Sequence, residues 1–178
     1  TPMIVAASLG HLKSVEALLD GGAPAGVDYS NGELFGDLTV TTDRDDVRAK
    51  FEALQTISAP PLCYAAYEGH VKVVKLLLER GANANEASSF DNEPALHSAA
   101  RRGNAAITRM LLEYGAKADH TDWRGYSAVH ALAAGPEWAE TRSRPDYDPA
   151  GVVKLLAARG ADMNRVAPAM EQTHVLAG

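Results

Sequence analysis

One cysteine, Cys63, is present in 178 residues, so an internal disulfide is excluded, and a lone thiol fits a reducing compartment such as the cytoplasm or nucleus. No apolar run approaches the ~20 residues that a membrane-spanning helix needs, and no stretch reads as a signal peptide. Positive charge is in deficit. With 17 Lys and Arg against 23 Asp and Glu, the net charge is −6 and the pI about 5.5, which removes the whole-chain electrostatic footprint of a nucleic-acid or anionic-membrane binder. Also missing are a Gly-rich phosphate loop and a nucleophile elbow, so no cofactor and no catalytic residue is expected. What remains is ordinary for a globular chain of one domain, or two small ones: 46% hydrophobic and 22% charged.

The chain is self-similar. GHVKVVKLLLERGANAN at 69–85 has counterparts in GHLKSVEALLDGGA at 10–23, GNAAITRMLLEYGA at 103–116 and GVVKLLAARGADMN at 151–164. Each is preceded by a second recurring element: TPMIVAA at 1–7, PPLCYAA at 60–66, PALHSAA at 94–100 and SAVHALA at 127–133. Pro60 to Pro94 is 34 residues and Pro94 to Ser127 is 33. A small-residue helix, a turn Gly, a second helix with Leu-rich positions and a closing Gly-Ala make a helix hairpin. Thr1 and Ser127 suit N-caps, Pro2 and Pro61 the first helical turn, and Gly22, Gly81, Gly115 and Gly160 left-handed helix ends. The alanine pairs Ala6-Ala7, Ala65-Ala66 and Ala99-Ala100 permit close helix approach, and Leu76-Leu77-Leu78 with its counterparts fills the layer between units. No unit buries that face alone, so stacking supplies the core.

A period near 33 headed by a T-P-L-H-x-A pattern resembles the ankyrin repeat. The resemblance implies an all-α ankyrin-repeat solenoid of four helix-hairpin repeats, about 1–25, 58–91, 92–125 and 126–165, with a fifth starting at about 173. The Gly-to-Gly interval of 12 residues, seen from Gly10, Gly69 and Gly103, repeats from Asp148 to Gly160 without the first Gly. Because the chain opens at a repeat head and breaks off within a fifth unit, it is expected to be a segment of a longer array or an array with unusual ends.

Two insertions interrupt the pattern. The first, about 26–57, contains DRDDVRAKFEALQTI, where Val47, Phe51 and Leu54 keep helical spacing and Arg48 pairs with Glu52; residues 24–59 hold −4 of the −6 net charge. The second, about 136–147, lies between the two helices of the fourth repeat. Such interruptions map to loops on one face of a solenoid, often the binding face, and bind, pack or, with Asp43, Asp45 or Asp46 of the acidic first insertion reaching across, cover the protein's own binding patch.

The six histidines are the first place to look for chemistry. His11 and His70 follow the turn Gly, where the ankyrin pattern calls for His; His97 and His130 stand at the His of T-P-L-H, which the family uses to hydrogen-bond neighbouring backbone. His120 lies in a hairpin loop and His174 in the fifth unit. Asp119, His120 and Asp122 match no strong metal-ligand spacing, and Cys63 reads as a small core residue, so no metal site is expected. Asn85 and Asn164 match the hairpin Asn of the family, which some asparaginyl hydroxylases modify.

The resemblance implies protein binding, with hairpin tips and first helices forming a concave surface. The matching positions are Tyr64, Tyr67 and Glu68, then Ser98, Arg101 and Arg102, and at the hairpins Phe90, Asp91, Trp123, Arg124 and Tyr126. Tyr, Trp and Arg often dominate interface energetics. Arg101, Arg102 and Arg124 among aromatics suit an acidic or phosphorylated peptide. The rival reading is an enzyme or small-molecule binder that uses a pocket between repeats and insertions, drawing on Asp28, Tyr29, Trp138 or Tyr147.

Overall fold

The structure, a computed structural model, describes residues 2–26, 59–88, 92–135 and 144–166. The expected helix at 43–57, Phe90, Asp91, Asp28, Tyr29, Trp138 and the fifth unit from Thr173 lie outside those residues.

Among the described residues the regular elements are eight helices: α1 Pro2–Ser8, α2 Leu12–Asp20, α3 Pro61–Glu68, α4 Val71–Glu79, α5 Ala95–Arg101, α6 Ala105–Glu113, α7 Ala128–Ala134 and α8 Pro149–Ala158. They pair in chain order. The first helices stack in a row, α1 on α3 on α5 on α7, and the second helices in another, α2 on α4 on α6 on α8. This is the all-α solenoid that the resemblance implies. The second pair is joined to the third, and the third to the fourth, across one isolated bridge each, Ala87 with Pro94 and Thr121 with Ser127.

Each pair is closed by the same local chemistry. At the end of the second helix the alanine of Gly-Ala donates its N–H five residues back, Ala23 to Leu18, Ala82 to Leu77, Ala116 to Leu111 and Ala161 to Leu156, at 2.9–3.1 Å. The intervening Gly22, Gly81, Gly115 and Gly160 have φ of 77–89°, as a left-handed cap requires. Three of the first helices, α1, α3 and α5, end alike: His11 donates to Ala6, His70 to Ala65 and Asn104 to Ala99 at 2.9–3.0 Å.

The row of first helices is close-packed because its contact positions are alanine. Ala7, Ala65, Ala66, Ala99 and Ala100 are fully buried, with Leu62 and Leu96 beside them. The second helices contribute Val15, Val73, Val74, Leu77, Ile107, Leu111, Leu112, Val152 and Leu156, all buried in the same continuous core. Leu76, read with Leu77 and Leu78 as layer-filling, is only half-buried against that core.

The fourth pair departs from the expected register. Asp148 is the N-cap of α8, accepting the Gly151 N–H at 2.8 Å, so it corresponds to His11, His70 and Asn104 rather than to the turn glycine. Helix α8 is accordingly one residue longer, 10 against 9, and this restores the 12-residue interval that the sequence suggested. The end of the second insertion crosses back onto the third pair. Asp148 donates its N–H to Gly103 O at 2.7 Å, and Asp146 accepts from Asn104 Nδ2 at 2.8 Å. Tyr147 lies flat over Gly103, where a Cβ would come within 2.7 Å of the ring, and Gly10 is covered by the His70 ring at the same distance.

Two outcomes test this packing. Leu77→Ala, in a fully buried position, is expected to lower unfolding stability by about 2–5 kcal/mol in chemical denaturation. Gly103→Ala is expected to lose more than Gly115→Ala: both glycines have positive φ, costing about 1–2 kcal/mol for an L-residue, but a methyl on Gly103 also displaces Tyr147, whereas Gly115 has open space.

Candidate functional site

The hairpin between α6 and α7 is organised by one buried carboxylate. Asp122 Oδ1 accepts the backbone N–H groups of Arg124 at 2.9 Å and Tyr126 at 2.8 Å, while Oδ2 accepts from Arg124 Nε at 2.9 Å and pairs with Nη2 at 2.8 Å. Burial pushes this carboxyl up, but the hydrogen bonds from Tyr126 and Arg124 outweigh it and hold it below the usual carboxylate range. Arg124 is thereby fixed over the Tyr126 ring, 5.0 Å from its centroid, and 5.8 Å from that of Trp123. Tyr126 in turn stacks on His130, with centroids 5.4 Å apart and planes 10° from parallel. A ladder of four flat groups results. Its outermost member, Trp123, is 64% exposed.

Beside the ladder lies a half-open groove of about 350 Å³, between α5 and α7, lined by Glu93, His97, Arg101, Asp122, Arg124 and Tyr126, with His130 and the end of α7. Glu93, itself buried, accepts from Arg101 Nη2 at 2.7 Å and from Ser98 Oγ at 3.2 Å. One pair earlier, Arg102 lies 4.4 Å above the Tyr67 ring and 3.8 Å from Glu68.

The structure thus gathers Arg101, Arg124 and Tyr126 at one groove, with Trp123 next to Arg124 on the adjoining hairpin, and puts Tyr67, Glu68 and Arg102 in a second cluster. Two expectations need correction. Ser98, expected on the exposed face, is buried and bonded to Glu93, because its helix turns that side toward the hairpin. The patch of Arg101, Arg102 and Arg124 is not basic, since each guanidinium has an acidic partner within 4 Å: Glu93, Glu68 and Asp122. Tyr64 is half-buried against the core. Tyr147, a member of the rival enzyme reading, sits on Gly103 rather than in the groove lining. The sequence reading passed over Glu93 as a site residue and considered Asp122 only as a metal ligand. Asp122 had a local signal, the turn-prone D-x-x-G, whereas Glu93 and Arg101 are eight residues apart at no periodic spacing.

The two motif histidines differ, and the cause is one residue. His130 Nδ1 receives the Ser127 N–H at 3.1 Å and lies 2.9 Å from Ser127 Oγ. The residue three before His97 is Pro94, which has neither N–H nor hydroxyl. His97 Nδ1 consequently has no partner among the described residues, although the residue is 1% exposed and its Nε2 is held 2.9 Å from Tyr126 O. Nε2 therefore carries the proton and donates to that carbonyl. Cys63, at the same motif position in α3, is buried with Sγ 3.7 Å from the carbonyls of Glu86 and Glu93.

Burial lowers the His97 pKa from 6.5 to about 4, the Tyr126 carbonyl opposing and His120 adding repulsion. The folded protein thus refuses a proton that the unfolded chain takes up between those values. Stability is fully present above pH 6.5 and falls as the pH drops toward 4. At ~1.4 kcal/mol per pH unit the loss is about 3 kcal/mol. Urea titrations at pH 7, 5.5 and 4 check this, with His97→Gln expected to flatten that part of the profile.

A family model for ankyrin repeats, in three copies, matches residues 62–167, from the second residue of α3 to beyond α8. No curated protein matches the chain. Ankyrin repeats are generally protein–protein interaction modules. Among the described residues no helix is long and apolar enough to cross a membrane. The match covers more than half of the 178 residues and coincides with the stacked helix pairs. The chain belongs to the ankyrin-repeat family.

Proposed function

We propose that this protein binds a partner protein or peptide along its row of first helices and hairpin tips, the concave side of four repeats spanning about 1–25, 58–91, 92–125 and 126–165. The observation that carries the reading is Trp123. A large ring 64% exposed, on a hairpin anchored by the buried Asp122, is a preorganised contact rather than a loose one. The neighbouring groove and the Tyr67–Arg102–Glu68 cluster extend the surface along the row. Arg101 and Arg102 are held by Glu93 and Glu68, so their geometry is set before a partner arrives. Tyr64, Phe90 and Asp91 complete the contact set, and an acidic or phosphorylated segment is the partner chemistry to test. The buried free thiol of Cys63 suits work in the cytoplasm or nucleus.

The test is calorimetry on a partner recovered with the full chain as bait. Trp123→Ala is expected to weaken binding by more than ~1 kcal/mol. Arg109→Ala, an exposed change on the second-helix row, is expected to leave affinity unchanged. Loss with Arg109→Ala and none with Trp123→Ala would move the binding face to the opposite side.

A further inference from the structure

The groove between α5 and α7 is unequal in its hydrogen-bonding capacity. Its two carboxylates are engaged: Glu93 takes Ser98 Oγ–H and Arg101, and Asp122 takes two backbone N–H groups and the Arg124 guanidinium. The lone pair of His97 Nδ1 is sealed from solvent, and His130 Nδ1 already faces Ser127. Among the described residues its arginine donors are only partly used. A guanidinium carries five N–H donors; Arg101 directs Nη2 at Glu93, and Arg124 directs Nε and Nη2 at Asp122, while their side chains remain 20% and 32% exposed. Both arginines line the same cavity, together with Tyr126.

A site whose carboxylates are engaged and whose fixed arginines keep unused donors takes an acceptor group. Charge narrows the choice. Two arginines and two buried carboxylates cancel, so the groove has no surplus positive charge, and one added negative charge shared between two guanidinium groups costs less than two. A phosphomonoester brings about −1.5 to −2; a carboxylate brings one. The flanking surface points to a side chain rather than a chain end, because contact groups continue beyond the groove: Trp123 on the hairpin, and Arg102 at the end of α5 over Tyr67 of the preceding pair.

We propose that the α5–α7 groove is a subsite for one Glu or Asp side chain of an extended partner segment, seated on the spare N–H groups of Arg101 and Arg124. The inference rests on the reading of this face as the partner-binding one, and it makes the chosen partner acidic and unphosphorylated at this position.

The test uses the full chain and capped single residues as probes, followed by the arginine Nε–Hε and Tyr126 amide signals in NMR titrations. N-acetyl-glutamate N-methylamide is expected to give saturable shifts of Arg101 and Arg124, about tenfold stronger in affinity than the glutamine analogue. Arg124→Gln is expected to remove that preference. Since Arg124 also anchors the hairpin, Arg101→Gln is run beside it, with the Leu77 methyl signals reporting that the core is intact. Equal binding of the glutamine and glutamate probes, or no shift with either, overturns the subsite. Tighter binding of the capped phosphoserine, or of N-acetylglycine with its free terminal carboxylate, overturns the choice of ligand. If Trp123→Ala abolishes partner binding while no carboxylate moves the arginine signals, the binding face stands and this inference falls. If the glutamate probe saturates the groove while partner binding ignores Trp123, the binding face falls instead.

Discussion

No helix pair in this chain can bury its own apolar face, and the rest of the structure depends on that constraint. The helices are 7–10 residues long, too short to persist alone in water. Leu77, Ile107, Leu111 and Leu156 disappear from solvent only because one pair lies on the next. Burying such a side chain stabilises by about 1.5–3 kcal/mol, and the gain is shared between neighbouring pairs. Cohesion is therefore local and sequential, as in any stack whose layers touch only their neighbours.

Polar contacts then determine how the layers meet. Asn85 donates to Gly115 O at 2.9 Å and accepts from Lys117 N–H at 2.8 Å, locking one hairpin to the next. His70 Nε2 reaches Ser8 O at 3.0 Å and His97 Nε2 reaches Tyr126 O at 2.9 Å, each joining adjacent pairs. Asp122 does the same work within a hairpin and, by holding Arg124, carries that order to the surface. The aromatic and guanidinium ladder is thus an outgrowth of the scaffold, and its rigidity comes from a buried carboxylate.

The second insertion shows how a stack absorbs an interruption. Its last residues replace the usual turn with Tyr147 over Gly103 and an N–H from Asp148 to Gly103 O. The fourth pair is secured to the third through the very glycine that in the third pair only makes a turn. An extra residue in α8 accompanies this exchange.

The sequence by itself determined the helix pairs, their stacking and their caps, because those depend on short-range patterns: apolar positions at helical spacing, Gly-Ala at each helix end, and alanines at the contact positions of the first helices. It also marked Trp123, Arg124 and Tyr126 by their place in the period. Tertiary structure alone decided the electrostatics of the site. Arg101 meets Glu93 across a helix start, and Arg102 meets Glu68 across 34 residues; pairings of this kind follow the rotation of one layer on another, which no spacing encodes. The partnerless Nδ1 of His97 falls between the two. Pro94 is visible in the sequence, but its missing N–H acquires meaning only once the ring is buried against it, where no water can supply the donor.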